Sequence, residues 1–267
     1  MISNVSIASI ALQGIVVVLF VALLFWAVRQ RERFSMRPVW VGVLVFFLFS
    51  QVLEKIMHLI VLQGQAEPHG LLANPFLFAT YGALAAGVFE EAGRYLGFRL
   101  LLKRHRQRKD GLAYGLGHGG IEALFIGVVS SVQSLVFAVL INTGKFEQAL
   151  GAKGPADALA DLKSKLLNAS PFEFLIGGFE RIPALFIQIA LSLIVLYSVR
   201  SKRIAVLFYA ILLHALVDFI PGLYQAYKGN LSLWAAEGAI LLFGVAAVWL
   251  IWRSRTWRIW SVEQGRL

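Results

Sequence analysis

Three short motifs in an otherwise apolar chain carry residues able to do acid–base or metal chemistry. Glu90-Glu91-Ala92-Gly93-Arg94 sets two adjacent carboxylates and a guanidinium in a run of Leu, Ala, Gly and Phe. Gly117-His118-Gly119-Gly120-Ile121-Glu122 places an imidazole and a carboxylate four residues apart, and His214-Ala215-Leu216-Val217-Asp218 repeats that spacing. Side chains at i and i+4 project from one helix face, so each His is expected beside its own acid. Glu90 and Arg94 also stand at i, i+4, which assigns Arg94 to Glu90 and turns Glu91 about 100° round the helix.

Two imidazoles with up to three glutamates and an aspartate can activate water in two ways. A divalent metal needs neutral His118 and His214 converging with a carboxylate such as Glu122, with one position left open. General-base catalysis needs one buried glutamate and a histidine near enough to polarise the scissile carbonyl. Both routes end in hydrolysis. Inside a membrane the expected substrate is the peptide bond of a transmembrane or membrane-associated segment that enters between helices.

The elements that must position these motifs are membrane spans. The 267 residues are 58% hydrophobic and 15% charged, and the mean hydropathy is +0.72. One water-soluble domain could not expose that composition. Apolar runs at 5–28, 38–62, 74–102, 111–141, 171–199, 204–220 and 231–252 predict an all-α, polytopic transmembrane bundle of seven helices, and their length and continuity exclude strands. The chain reads as a single domain over 1–267. A cleavable signal peptide is not expected, because the basic cluster Arg29, Arg31, Arg33 and Arg37 follows the first run and the run is long. Without cysteine there is no disulfide, thiolate ligand or cysteine nucleophile.

The net charge of +10 is spread over short clusters between apolar runs, which reads as topology and contact with the lipid bilayer rather than nucleic-acid binding. Sixteen Lys and Arg fall in the connections on one side of the seven-span pattern and five on the other, placing the N-terminus outside and the C-terminus in the cytoplasm. The connection at 142–170 is then extracytoplasmic. Within it, Leu159, Leu162 and Leu166 recur at helical spacing opposite Asp157, Asp161 and Lys165, predicting an amphipathic surface helix over 156–168 that lies on the membrane.

Depth along each helix brings the polar residues together. At about 1.5 Å per residue from the nearest basic anchor, Glu91 and Glu90 lie roughly 18 and 20 Å in, His118 and Glu122 roughly 14 and 20 Å, His214 and Asp218 roughly 17 and 22 Å, and Gln188 roughly 18 Å. Four helices thus deliver ionisable or amide groups to one layer. Gly111, Gly115, Gly119, Ala123 and Gly127 form a small-residue ridge beside His118, for which Gly93-xxx-Gly97 is the expected partner. Glu54, Lys55 and His58, and separately Glu180 and Arg181, fall farther from the basic ends and read as a structural ion-pair layer or as an outward substrate entrance. Glu237 is assigned no role.

Glu90-Glu91-xx-Arg94, the Gly117–Glu122 stretch and His214-xxx-Asp218 resemble the YhfC family of intramembrane metalloproteases over nearly the whole chain. More distantly they are similar to the CAAX-processing and bacteriocin-processing membrane endopeptidases, whose aromatic-xxx-His element would be Tyr114-xxx-His118. The resemblance implies Glu90 as the water-activating base, Glu91 as its supporting carboxylate, and His118 and His214 as groups that bind or polarise the reacting centre. Arg94, Glu122, Gln188 and Asp218 would support the site or bind substrate. Zinc is implied by the family, whereas some CAAX-type relatives are understood as metal-free glutamate proteases. The arginine here follows the glutamates one residue sooner than in the CAAX-type pattern, and Tyr114 stands where that pattern has Phe. The implied location is the bacterial or archaeal cytoplasmic (inner) membrane. The chain also resembles the anterior-pharynx-defective subunit of gamma-secretase, a seven-helix scaffold thought to have lost catalysis; retention of both glutamates and His118 favours an enzyme.

Overall fold

A computed structural model describes residues 1–63, 70–151, 156–227 and 231–261. The described residues are helical without a strand: α1 (Asn4–Glu32), α2 (Met36–Val61), α3 (Pro75–Leu96), α4 (Arg108–Asn142), α5 (Phe146–Leu150), α6 (Ala156–Asn168), α7 (Pro171–Phe179), α8 (Arg181–Ser201), α9 (Ile204–Ala226) and α10 (Leu233–Arg253). Their starts follow capping chemistry. Asn74 accepts from the N–H of Phe76 and Leu77 with Pro75 in the first turn, and Ser170, ahead of Pro171, accepts from Glu173. First-turn amides of these two helices are thereby given acceptors.

Among the described residues six helices are long and apolar enough to cross a membrane: Asn4–Glu32, Met36–Val61, Arg108–Asn142, Pro171–Ser201 (α7 with α8), Ile204–Ala226 and Leu233–Thr256. The expected third span, α3, is helical but is not among them. Glu90, Glu91 and Arg94 offset the hydropathy that its Leu, Phe and Ala residues supply.

The chain divides into two compact units. In the one formed by 1–26 and 123–182, Gln13 Nε2 on α1 donates to Ser131 Oγ on α4 at 2.9 Å, and Ser131 in turn donates to the Gly127 carbonyl. Leu166, with Leu159 and Leu162, packs on Ile2, Ala138, Ile141 and Phe146. The leucine face of α6 is therefore turned onto protein, while Asp161 and Lys165 pair at 2.9 Å on its exposed side.

The other unit, 27–122 with 183–267, holds all three motifs. Its core is built from Val41, Val45, Phe98, Leu102, Tyr114, Leu191, Val195 and Leu196. Two close approaches set its geometry. At Gly87 on α3, a Cβ would lie 2.7 Å from the Ile211 carbonyl oxygen of α9, so those helices run nearly backbone to backbone. On α4 the glycine ridge does the same against α8: a Cβ at Gly115 would lie 2.6 Å from Ile189 Cα, and one at Gly119 2.6 Å from Gln188 Cβ. Over 111–119 the ridge's partner is thus α8, not Gly93-xxx-Gly97. Gly93 instead receives the Phe49 ring of α2, and Gly97 faces Tyr114 and Val45. Small residues permit close approach to any helix and do not name it.

Gly115→Ala should lower stability by about 1–3 kcal/mol, because the new methyl meets backbone that cannot turn aside. Gly238→Ala, on α10 with no atom within 4 Å of the added carbon, should be neutral or gain up to about 1 kcal/mol of helix propensity. Thermal unfolding of the two purified variants in one detergent checks the contrast.

Candidate active site

The polar layer expected from depth alone is a connected cluster contributed by α3, α4, α8 and α9. Its hub is Arg94, with no exposed surface. Arg94 Nη2 donates to Gln188 Oε1 at 2.5 Å and Nη1 to the Gln188 carbonyl at 3.3 Å. Nη1 also lies 3.3 Å from Glu91 Oε1, whereas Nη2 is 3.9 Å from Glu90 Oε2. The pairing differs from the i, i+4 expectation: Arg94 is closer to Glu91, three residues back, and the Gln188 side chain binds both Arg94 and Glu90. A long side chain reaches i−3 and i−4 equally well, so the neighbouring helix decides.

Gln188 has its amide orientation settled by its neighbours. Its Oε1 accepts from Arg94, so Nε2 is left to donate to Glu90 Oε2 at 3.2 Å. Ser192 Oγ, one turn on, donates to the Gln188 backbone carbonyl at 2.8 Å. The sequence reading passed over Ser192; its i, i+4 spacing from Gln188 in a buried helix was the available signal.

Each histidine takes one carboxylate of the Glu90-Glu91 pair. His118 Nε2 lies 2.9 Å from Glu90 Oε2. His214 Nδ1 lies 2.6 Å from Glu91 Oε1, and its Nε2 is 3.4 Å from Asp218 and 3.9 Å from Glu90. Two carboxylates on opposite ring nitrogens of His214 are both satisfied only when both nitrogens carry protons. His118 differs. With Nε2–H donated to Glu90, its Nδ1 keeps a lone pair that is buried and has no hydrogen-bond partner among the described residues. The ring is held on two sides, edge-on to Phe46 at 5.6 Å and stacked with Tyr114 at 6.1 Å. Phe46 and Phe49 come from Phe46–Glu54, a π-helical stretch of α2, a geometry often found where a helix serves a site.

Four further buried atoms or residues complete the picture. Glu91 Oε2, Arg94 Nε and the Tyr114 hydroxyl have no hydrogen-bond partner among the described residues. Glu122, half-buried one turn from His118, joins Glu90 and His118: one ligand atom from each of the three lies within 4.8 Å of the others. Of the expected set of His118, Glu122 and His214, the first two belong to this group, and His214 lies against Glu91 and Asp218. Asp218 is the most open member of the layer, with 39% of its side chain exposed.

The residues expected farther from the basic ends form separate pairs. Glu54 and His58 lie 3.2 Å apart, and His58 Nδ1 is 2.7 Å from the Tyr81 hydroxyl, while Lys55 is exposed and outside this group. Glu180 pairs with Arg181.

The chain matches the model of the YhfC intramembrane metalloprotease family over residues 15–240. A protein of Bacillus subtilis (strain 168), called uncharacterized membrane protein YhfC, is 39% identical over 262 residues, covering 98% of this chain and 100% of that one. No solved structure matches.

Gln188→Leu removes the acceptor of Arg94 and the donor to Glu90 together, leaving charged groups under-satisfied in the interior, and should cost more than about 3 kcal/mol. Ser192→Ala removes one neutral bond and should cost about 0.5–1.5 kcal/mol. Unfolding curves of both variants under one set of conditions measure the difference.

Proposed function

We propose that this chain, which belongs to the YhfC intramembrane metalloprotease family, is an endopeptidase that hydrolyses peptide bonds of membrane-embedded or membrane-associated substrates. The observation that carries the reading is the division of the paired carboxylates: Glu91 is held by Arg94 and His214, and Glu90 is held by His118 and Gln188 with Arg94 farther off. A carboxylate compensated by a close guanidinium is a poor base, because taking a proton would break the pair. Glu90 is the better base.

In the reaction, Glu90 takes a proton from water as the oxygen attacks the scissile carbonyl carbon. His214 keeps its Nδ1–H on Glu91 and turns its Nε2–H, 3.4 Å from Asp218, to the developing negative charge as a hydrogen-bond donor. When the carbon–nitrogen bond breaks, the proton on Glu90 passes to the departing amine, which restores the carboxylate. Gln188 fixes the Glu90 carboxylate, and Arg94 keeps Glu91 anionic so that it can hold His214. Substrate approaches by way of Asp218, the open member of the layer.

The donor set also fits a divalent zinc ion. Glu90, His118 and Glu122 are two oxygen ligands and one nitrogen ligand of the kind zinc takes at catalytic sites, and His118 retains an unpartnered buried lone pair. Bound there, zinc would polarise the substrate carbonyl and lower the pKa of water. Tyr114 and Phe46 would hold the His118 ring for it.

We place the protein in a cytoplasmic membrane with α3 as a seventh crossing, the basic connections inside and the N-terminus outside. A helix bearing Glu90, Glu91 and Arg94 is tolerated at that depth because every one of the three is bonded within protein.

In proteoliposomes, the wild type should cleave a model transmembrane peptide, and Glu90→Gln and His214→Asn should each slow cleavage by about 10²–10⁴-fold. Retained cleavage in both variants would sink the proposal. Metal analysis is a separate arm: zinc bound near one per chain should be lost in His118→Ala.

A further inference from the structure

A cavity of about 540 Å³ lies at the basic end of α8 and α9, lined by Ile194, Tyr197, Val206, Trp257, Arg258 and Ile259. It plays no part in the polar layer. One wall is the segment after α10, which is fastened in place by a buried arginine of α8. Arg200 donates through Nη1 to the Arg106 carbonyl at 2.8 Å and through Nη2 to the Ile259 carbonyl at 2.6 Å, and it lies over the Trp260 ring. Trp260 Nε1 donates to the Ser254 carbonyl at 2.7 Å, and Trp257 stacks on Trp260 while meeting Tyr197 edge-on.

Charge says what fits there. The described residues of this end include two acids close to the basic clusters, and both are engaged: Glu32 pairs with Arg108 at 2.9 Å, and Asp110 accepts from the Gln107 N–H at 2.9 Å. Arg258, exposed at the rim of the cavity, forms no ion pair among the described residues. No acid among the described residues supplies its anion. The walls are aliphatic and aromatic, and Tyr and Trp are the residues that sit at the headgroup level of a bilayer. Apolar walls with a guanidinium at the mouth that has no acid partner among the described residues match an amphiphile with a negative head.

We propose that this cavity is a binding site for one anionic phospholipid, with an acyl chain against Ile194, Val206 and Ile259 and the phosphate at Arg258. The bound lipid would brace the segment that Arg200 fastens. The site is independent of the peptidase reading, since it uses none of the residues of the polar layer.

Native mass spectrometry of the full chain in mild detergent, titrated with phosphatidylglycerol or phosphatidylcholine, tests it. The wild type should retain phosphatidylglycerol over phosphatidylcholine by about five-fold, the contribution of one basic residue at the surface. Arg258→Ala should bring that ratio near unity, and Arg255→Ala, an exposed arginine at the same end that does not line the cavity, should leave it unchanged. Val206→Trp, which fills the cavity, should reduce retention of both lipids. Equal retention of the two lipids by the wild type, an unchanged preference in Arg258→Ala, or an equal loss in Arg255→Ala would overturn the proposal.

Discussion

The site depends on one electrostatic constraint: a guanidinium with no exposed surface must find its counter-charges and acceptors inside the protein. Arg94 finds them in Glu91 and in two oxygens of Gln188. Everything near it follows from that choice. With Arg94 committed toward Glu91, the adjacent Glu90 is left to His118 and to the amide of Gln188. Two carboxylates that are neighbours in sequence thereby acquire different surroundings, the arrangement from which acid–base roles are usually made.

Packing turns that constraint into a fixed geometry. Gln188 can reach both Arg94 and Glu90 only because α8 lies against the glycine face of α4, where Gly115 and Gly119 allow near-backbone contact. Gly87 does the same for α3 against α9 and so brings His214 to Glu91. The aromatic residues of the π-helical stretch in α2 close the remaining side, with Phe46 on the His118 ring and Phe49 filling the space beside Gly93. Charge placement and glycine placement are two halves of one requirement, since neither alone would bring four helices to one point.

Much of this was legible in the sequence. Counting residues from the basic clusters put Glu90, Glu91, His118, Glu122, Gln188, His214 and Asp218 in one layer, because helical rise is nearly constant and each count starts at a basic helix end. What depth could not supply was the azimuth of each group and the identity of each neighbour. Arg94 was expected on Glu90 because spacing within one helix is blind to Gln188 arriving from another. The glycine ridge announced close approach without saying that α8 would make it. The π-helical stretch of α2 left no trace, since its Phe and Leu residues read as ordinary apolar span. Spacing was equally blind to His214 lying between Glu91 and Asp218.

The account stands on Arg94 being coupled to Glu91 rather than to Glu90. A pair of double-mutant cycles measures this directly, combining Arg94→Met with Glu91→Gln in one and with Glu90→Gln in the other, and reading unfolding free energy in a single detergent. The account predicts a coupling of about 1–3 kcal/mol between Arg94 and Glu91 and less than about 0.5 kcal/mol between Arg94 and Glu90. A coupling to Glu90 equal to or larger than that to Glu91 would contradict it.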